Sequence, residues 1–155
     1  ISAVMPSYNE IDGVPSHASR LIRTARQINE ARPKVIIERL NAVLKKVKSK
    51  AKLKVALLGL TYKANVVDIR EIPALQIAKQ LISRKDIEVM VVDSHASRLN
   101  GSLPITTLQN AVNRADIIAL LVEHREFPAL DWSSIVRQKG RDCILDCKGV
   151  LRSLQ

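Results

Sequence analysis

LKVALLGLTYKANVVDIREIPAL, residues 53–75, changes character three times. An apolar run from Val55 to Leu60 contains one glycine, Gly59; a polar stretch holding Lys63, Asp68, Arg70 and Glu71 follows, and Pro73 opens an amphipathic run. Strand, loop and helix is the reading, because a short continuous apolar segment suits a strand covered on both faces, and proline suits the first position of a helix. In an open α/β sheet ligands bind at the carboxyl ends of strands, and a helix N-terminus there favours anions.

Downstream the same alternation repeats. The runs VMVV, IIALLV and ILDC predict strands near 88–93, 116–122 and 143–146 beside one at 54–59, with helices near 73–85, 107–115 and 132–139. Apolar runs separated by helical patterns imply parallel pairing through crossover helices, so the expected fold is an α/β, Rossmann-like doubly wound parallel sheet over residues 53–155. Residues 104–106 are a candidate short strand, and Thr107 a candidate N-cap.

Upstream, residues 1–14 read as an irregular lead-in. Pro15 and Ser16 are placed to start a helix, and Leu21, Ala25, Ile28, Arg32, Ile36, Leu40, Val43 and Val47 recur at steps of three or four along one face. Pro33 interrupts this pattern, predicting either a kink or two helices meeting near Ala31 and Arg32. The long amphipathic region over 15–52 must bury its stripe against a second copy of itself or against its own domain.

Composition excludes several classes. The 155 residues suffice for a real core, no apolar run approaches the roughly 20 residues that cross a bilayer, and the first residues lack a signal peptide's pattern. A cytoplasmic protein is expected. Cys143 and Cys147 are too few for a disulfide framework and, without partner ligands, a poor metal site. Residues 1–52 hold 11 of the 25 Lys and Arg but 4 of the 15 Asp and Glu, which is +7 of the net +10. Much of the excess is Lys45, Lys46, Lys48, Lys50 and Lys52, where cations meet the negative end of a helix dipole. With 3% aromatic residues and no nucleic-acid motif, a nucleic-acid partner is not expected.

The fold invites a dinucleotide, and the sequence argues against one. Gly59, Leu60, Thr61, Tyr62 and Lys63 follow the first strand in place of G-x-G-x-x-G, so backbone cannot approach a pyrophosphate in the usual way. Asp93 stands where a ribose-binding acid would, but reads as a strand-end turn residue. An anionic ligand here needs side-chain cations, and Lys63 supplies one. Arg70 lies between two carboxylates, so Asp68 and Glu71 are read as organisers of the loop, while the planar fork of Arg70 also suits phosphate.

The opening stretch resembles the carboxy-terminal domain of the UDP-glucose/GDP-mannose dehydrogenase family, whose wording there is close to VxxLGLxFKxxxxDxRESPAL. Leu58, Gly59, Leu60, Lys63, Asp68, Arg70, Glu71, Pro73, Ala74 and Leu75 agree; Tyr62 and Ile72 depart from it. The run His124, Arg125, Glu126 and Phe127 with Asp131 resembles HxEF followed by an aspartate, and Asp146, Cys147, Lys148, Gly149 and Leu151 resemble VxDxRGxL, with Lys148 replacing arginine. LIRTARQINEARP is similar to the family's central helix, which carries a dimer contact.

The resemblance implies UDP-sugar contacts at Tyr62, Lys63, Arg70 and Lys148, with His124 and Arg125 at the site's edge. Lys63 and Lys148 are expected at neighbouring strand ends. His124 is placed either to bond a ligand or to cap its strand. The family also has an NAD-binding domain with a glycine fingerprint and a catalytic cysteine in a GGxC-type motif. Neither is in these 155 residues, and Cys143 and Cys147 lie in another motif. The expectation is therefore a UDP-sugar-binding and dimerising portion of an NAD-dependent UDP-sugar dehydrogenase of the N-acetylhexosamine branch, with no cofactor, metal or catalytic residue of its own and no activity alone. The other reading is a stand-alone, non-catalytic nucleotide-sugar-binding or regulatory module.

Overall fold

A computed structural model describes residues 10–11, 14–15, 20–47, 52–61, 73–94 and 103–149; within the first helix, side chains are described at Thr24, Gln27 and from residue 30 on. The chain divides into two compact units, 1–32 and 33–155. In the first, β1 (Glu10–Ile11) and β2 (Val14–Pro15) pair antiparallel, Glu10 opposite Pro15 and Ile11 opposite Val14. This corrects the irregular lead-in and moves Pro15 from a helix start into a strand. Asp12-Gly13, a dipeptide favoured between hairpin strands, was the sequence signal for it.

Helix α1 (Arg20–Lys46) contains Pro33 within one continuous element, so the two-helix alternative is not realised. Proline removes a backbone donor, and packing downstream offsets the loss. Ile36 and Leu40 are buried in the core of the second unit, with Ile37, Val43, Leu44 and Val47 half-buried around them. From residue 33 on, the stripe thus folds onto its own domain.

The sheet follows from strands whose two faces are both covered. β3 (Leu53–Leu58), α2 (Pro73–Ile82), β4 (Ile87–Val92), α3 (Leu108–Arg114), β5 (Ile117–Leu120), α4 (Trp132–Lys139) and β6 (Ile144–Asp146) alternate along the chain, and the strands are parallel in the order β4-β3-β5-β6. Leu57 stands opposite Val91 on one side and Ala119 on the other, while Leu120 faces Asp146. The four strands expected near 54–59, 88–93, 116–122 and 143–146 and the three helices expected near 73–85, 107–115 and 132–139 are present within about three residues of those ends.

Side chains alternate across this sheet with period two. Val55, Leu57, Val89, Val91, Ile117 and Ala119 form one core with Ile36 and Leu40 of α1 and Leu75, Ile77 and Leu81 of α2. Ala56, Leu58, Met90, Val92, Ile118 and Leu120 form the other with Val112 of α3, Trp132 and Ile135 of α4, and Phe127. The crossover from β3 to β4 carries its helix on the first face, and the two crossovers running the other way carry theirs on the second, as right-handed connections require. Residues 104–106 contribute one parallel bridge, Ile105 to Val91, and Thr107 caps α3 by accepting from the Asn110 amide at 3.3 Å.

Candidate functional site

Strand order reverses between β3, which continues to β4, and β5, which lies on its other side; this switch point is where open α/β sheets hold ligands. The two strand ends approach closely. Leu121 donates to the Leu58 carbonyl at 2.9 Å beyond the last residue of β5, and the Gly59 amide donates to the Val92 carbonyl at 2.8 Å. Gly59 has φ 77°, and a β-carbon there would lie 2.3 Å from the Val122 carbonyl oxygen. The glycine permits strand contact, in place of the phosphate approach it serves in a glycine-rich turn.

Asp93, at the end of β4, is buried and turned toward β3. Its Oδ2 accepts from the amides of Leu60 (2.6 Å) and Thr61 (2.8 Å), and Oδ1 accepts from the Thr61 hydroxyl at 3.0 Å. A carboxylate held by two amides and a hydroxyl satisfies the requirement that buried charge be hydrogen-bonded. It stands as the strand-end residue the sequence predicted, engaged where a ribose-binding acid would be open to ligand. His124, past β5, adds a third strand: Nε2 donates to the Thr61 carbonyl at 3.1 Å, and Nδ1 lies 3.0 Å from Ser94 Oγ. Because a carbonyl only accepts, Nε2 carries the proton. Asp93 Oδ2 is 3.7 Å from Nε2, farther than the Thr61 carbonyl, so Asp93, His124 and Ser94 do not form the tight relay of an acyl-transfer triad.

The HxEF-and-aspartate run resolves into three local tasks. His124 ties strand ends together, Phe127 fills the second core, and Asp131 caps α4 by accepting from the Ser134 amide at 3.0 Å. The Trp132 indole fixes the segment by donating to the Phe127 carbonyl at 2.8 Å. Arg125 is exposed in the intervening turn. At the end of β6, Asp146 Oδ1 accepts from the amides of Lys148 (3.0 Å) and Gly149 (2.7 Å), and Gly149 has φ 79°. This turn presents Lys148 on the surface just past its strand.

The sheet order corrects one expectation. β5 lies between β3 and β6, so the strands leading to Lys63 and Lys148 are not neighbours; two strand spacings, about 10 Å, separate their axes. Tyr62, Lys63, Asp68, Arg70 and Glu71 lie outside the described residues, and the helix that follows them begins at Pro73. Thr61, which sequence reasoning passed over, is held at its amide, hydroxyl and carbonyl. Among the described residues no cluster of side chains can hold a metal, and Cys143 and Cys147 are each half-buried.

Residues 56–153 match the UDP-glucose/GDP-mannose dehydrogenase family, UDP binding domain. An NDP-N-acetyl-D-galactosaminuronic acid dehydrogenase of Ralstonia solanacearum is 39% identical over 143 residues, covering 90% of this chain and 32% of the relative. A UDP-N-acetyl-D-mannosamine dehydrogenase of Methanocaldococcus jannaschii is 37% identical over 139 residues, covering 88% and 31%. Among solved structures, the UDP-N-acetyl-mannosamine dehydrogenase Cap5O from S. aureus superposes with a TM-score of 0.64 at 31% identity, over 96% of this chain and 33% of that one. The chain spans about a third of the length of these relatives.

Proposed function

This chain belongs to the UDP-glucose/GDP-mannose dehydrogenase family through its UDP binding domain, and from that premise we propose that it is the nucleotide-sugar-binding portion of an NAD-dependent UDP-sugar dehydrogenase. The UDP moiety lies across the ends of β3, β5 and β6, with Tyr62, Lys63, Arg70 and Lys148 as its contacts. Asp68 and Glu71 organise the loop before α2, and Arg125 stands at the site's edge. The N-terminus of α2 adds a favourable field for the diphosphate. The substrate class is a UDP-N-acetylhexosamine, as in UDP-N-acetyl-D-mannosamine dehydrogenase, one of the names its relatives carry.

The observation that supports UDP over a dinucleotide is the engagement of Asp93. Its carboxylate faces Leu60 and Thr61, and the turn after β3 lacks the glycine fingerprint, so this sheet does not suit NAD. NAD belongs to a separate domain of the whole enzyme, where a cysteine holds the substrate as it is oxidised. Calorimetry tests this directly. UDP should release heat on binding and raise the melting temperature by linkage, while NAD at equal concentration should do neither. Tight NAD binding with no response to millimolar UDP would assign the domain to the wrong ligand.

Self-association through α1, the helix expected over 15–47, is part of the same proposal, placed on its upstream part. Ile36 and Leu40 are committed to the domain's own core, whereas the sequence stripe continues upstream through Ile28, Ala25 and Leu21. A dimer in sedimentation that Ile28→Asp converts to monomer would support it; a monomeric unaltered chain at high concentration would refute it. A cytoplasmic setting suits a nucleotide-sugar ligand and half-buried thiols.

A further inference from the structure

The polar groups of Thr61 are held from two directions at once. Asp93, from the end of β4, takes its amide (2.8 Å) and hydroxyl (3.0 Å), and His124, from beyond β5, donates to its carbonyl (3.1 Å). The ladder of β3 pairings ends at Leu58, so past Gly59 the course of the chain is set by these side chains. Ser94, next to Asp93, holds the other nitrogen of the same imidazole. The clamp therefore joins the ends of three strands at the point where the polar loop begins.

We propose that Asp93 and His124 are positioning residues for the nucleotide ligand: they act through Thr61, which fixes the root of the segment starting at Tyr62, and do not themselves touch the ligand. This rests on the UDP-binding reading above. A glycine-rich turn brings backbone amides to a phosphate, but here the ligand must be met by side chains of the segment after Thr61, and a long cationic side chain binds well only when its root is held. His124 cannot serve as clamp and ligand contact together, since a bond from either ring nitrogen to a ligand displaces Thr61 or Ser94. Asp93 is similarly turned inward, its side chain wholly buried.

The test is titration of the intact chain with UDP, alongside His124→Ala, His124→Gln, Thr61→Val and Asp93→Asn, each at a temperature where its melting curve shows it folded. His124→Ala should raise the UDP Kd roughly tenfold or more, since small misplacements of positioned groups cost that much. His124→Gln, whose amide can still donate to the Thr61 carbonyl, should restore most of the affinity. Thr61→Val, which keeps the shape and loses the hydroxyl, should weaken UDP binding in the same direction, so the inference stays testable even if Asp93→Asn does not fold. A purely structural clamp would lower the melting temperature and leave the Kd of the folded protein unchanged. UDP binding by the unaltered chain with equally tight binding by His124→Ala and Thr61→Val overturns this inference alone. No recovery in His124→Gln also overturns it, because the imidazole would then be needed as such. Absence of UDP binding by the unaltered chain overturns the binding reading and the clamp's role with it.

Discussion

Gly59 and Val122 are so close that a β-carbon on the glycine would stand 2.3 Å from the valine carbonyl oxygen, whereas a β-carbon on Gly140 would meet nothing within 4 Å. Both glycines have positive φ, 77° and 86°. The pair therefore separates backbone strain from steric overlap. Gly140→Ala should cost strain alone, about 1–3 kcal/mol. Gly59→Ala should cost clearly more, because the obstructing atoms are backbone and can yield only by moving the strand end. Urea unfolding measures both, and equal losses would mean that the strand end relaxes freely.

Leu40→Ala should destabilise the chain by about 2–5 kcal/mol, the range for truncating a buried leucine. Leu40 is 1% exposed within the core shared with α2 and the sheet. On the same helix Val35 is 45% exposed, and Val35→Gln should change stability by no more than about 0.5 kcal/mol. Chemical denaturation of the two variants would expose an error if their losses were alike. Ile36→Asp is accordingly a probe of folding and not of self-association.

At the opposite end of the sheet, a hydrogen bond from Arg84 holds the Asp86 carboxyl below its ordinary value of 3.8. A depressed folded value adds stability that is present above the unfolded value and lost as pH falls through the folded one. Asp86→Asn should thus be slightly less stable than the parent at neutral pH, the difference shrinking as the solution is acidified past 3.8. The effect is small because the pair is exposed. Urea midpoints across that range would disprove the assignment if the gap widened in acid.

Lys148→Ala should weaken UDP binding by about 1.5–3 kcal/mol, the usual cost of a lost charged contact. Lys63→Ala should weaken it at least as much, since lysine at 148 already stands where the family's arginine would. Lys45→Ala with Lys46→Ala should leave UDP affinity unchanged, because both lysines are exposed at the end of α1 and away from the strand ends. A large loss in that double variant would move the site.

Asp131→Ala removes the acceptor for the Ser134 amide at the start of α4. About 1 kcal/mol of stability should go with it. UDP affinity should stay the same, which calorimetry on the folded variant can establish. Loss of affinity without loss of stability would give Asp131 a role in the site.

The sheet was legible because its signal is local. VALLGL, VMVV and IIALLV are apolar throughout and ILDC is so but for Asp146 at the strand end, as strands between two helical layers must be, and Thr107 marks its helix by position. The fold-back of α1 was only half legible: a stripe at helical spacing says that a face is buried and is silent on what covers it. β1 and β2 are too short for period-two alternation to register. The clamp at Thr61 joins residues 32 and 63 positions apart, and no spacing rule connects a threonine after one strand to a histidine after another. Asp93 was visible as a strand-end acid, while the direction of its carboxylate required the neighbouring strand.

The strict parity of the strands bears on how such a domain can vary. Val55, Leu57 and Val91 share a core with α1 and α2, whereas Ala56, Leu58 and Val92 share the other with α3 and α4. Repacking one layer leaves the side chains of the other with their original neighbours, so substitutions on the two faces should combine additively. One helical face can then be rebuilt over a lineage while the opposite layer, and the strand ends between them, are inherited intact.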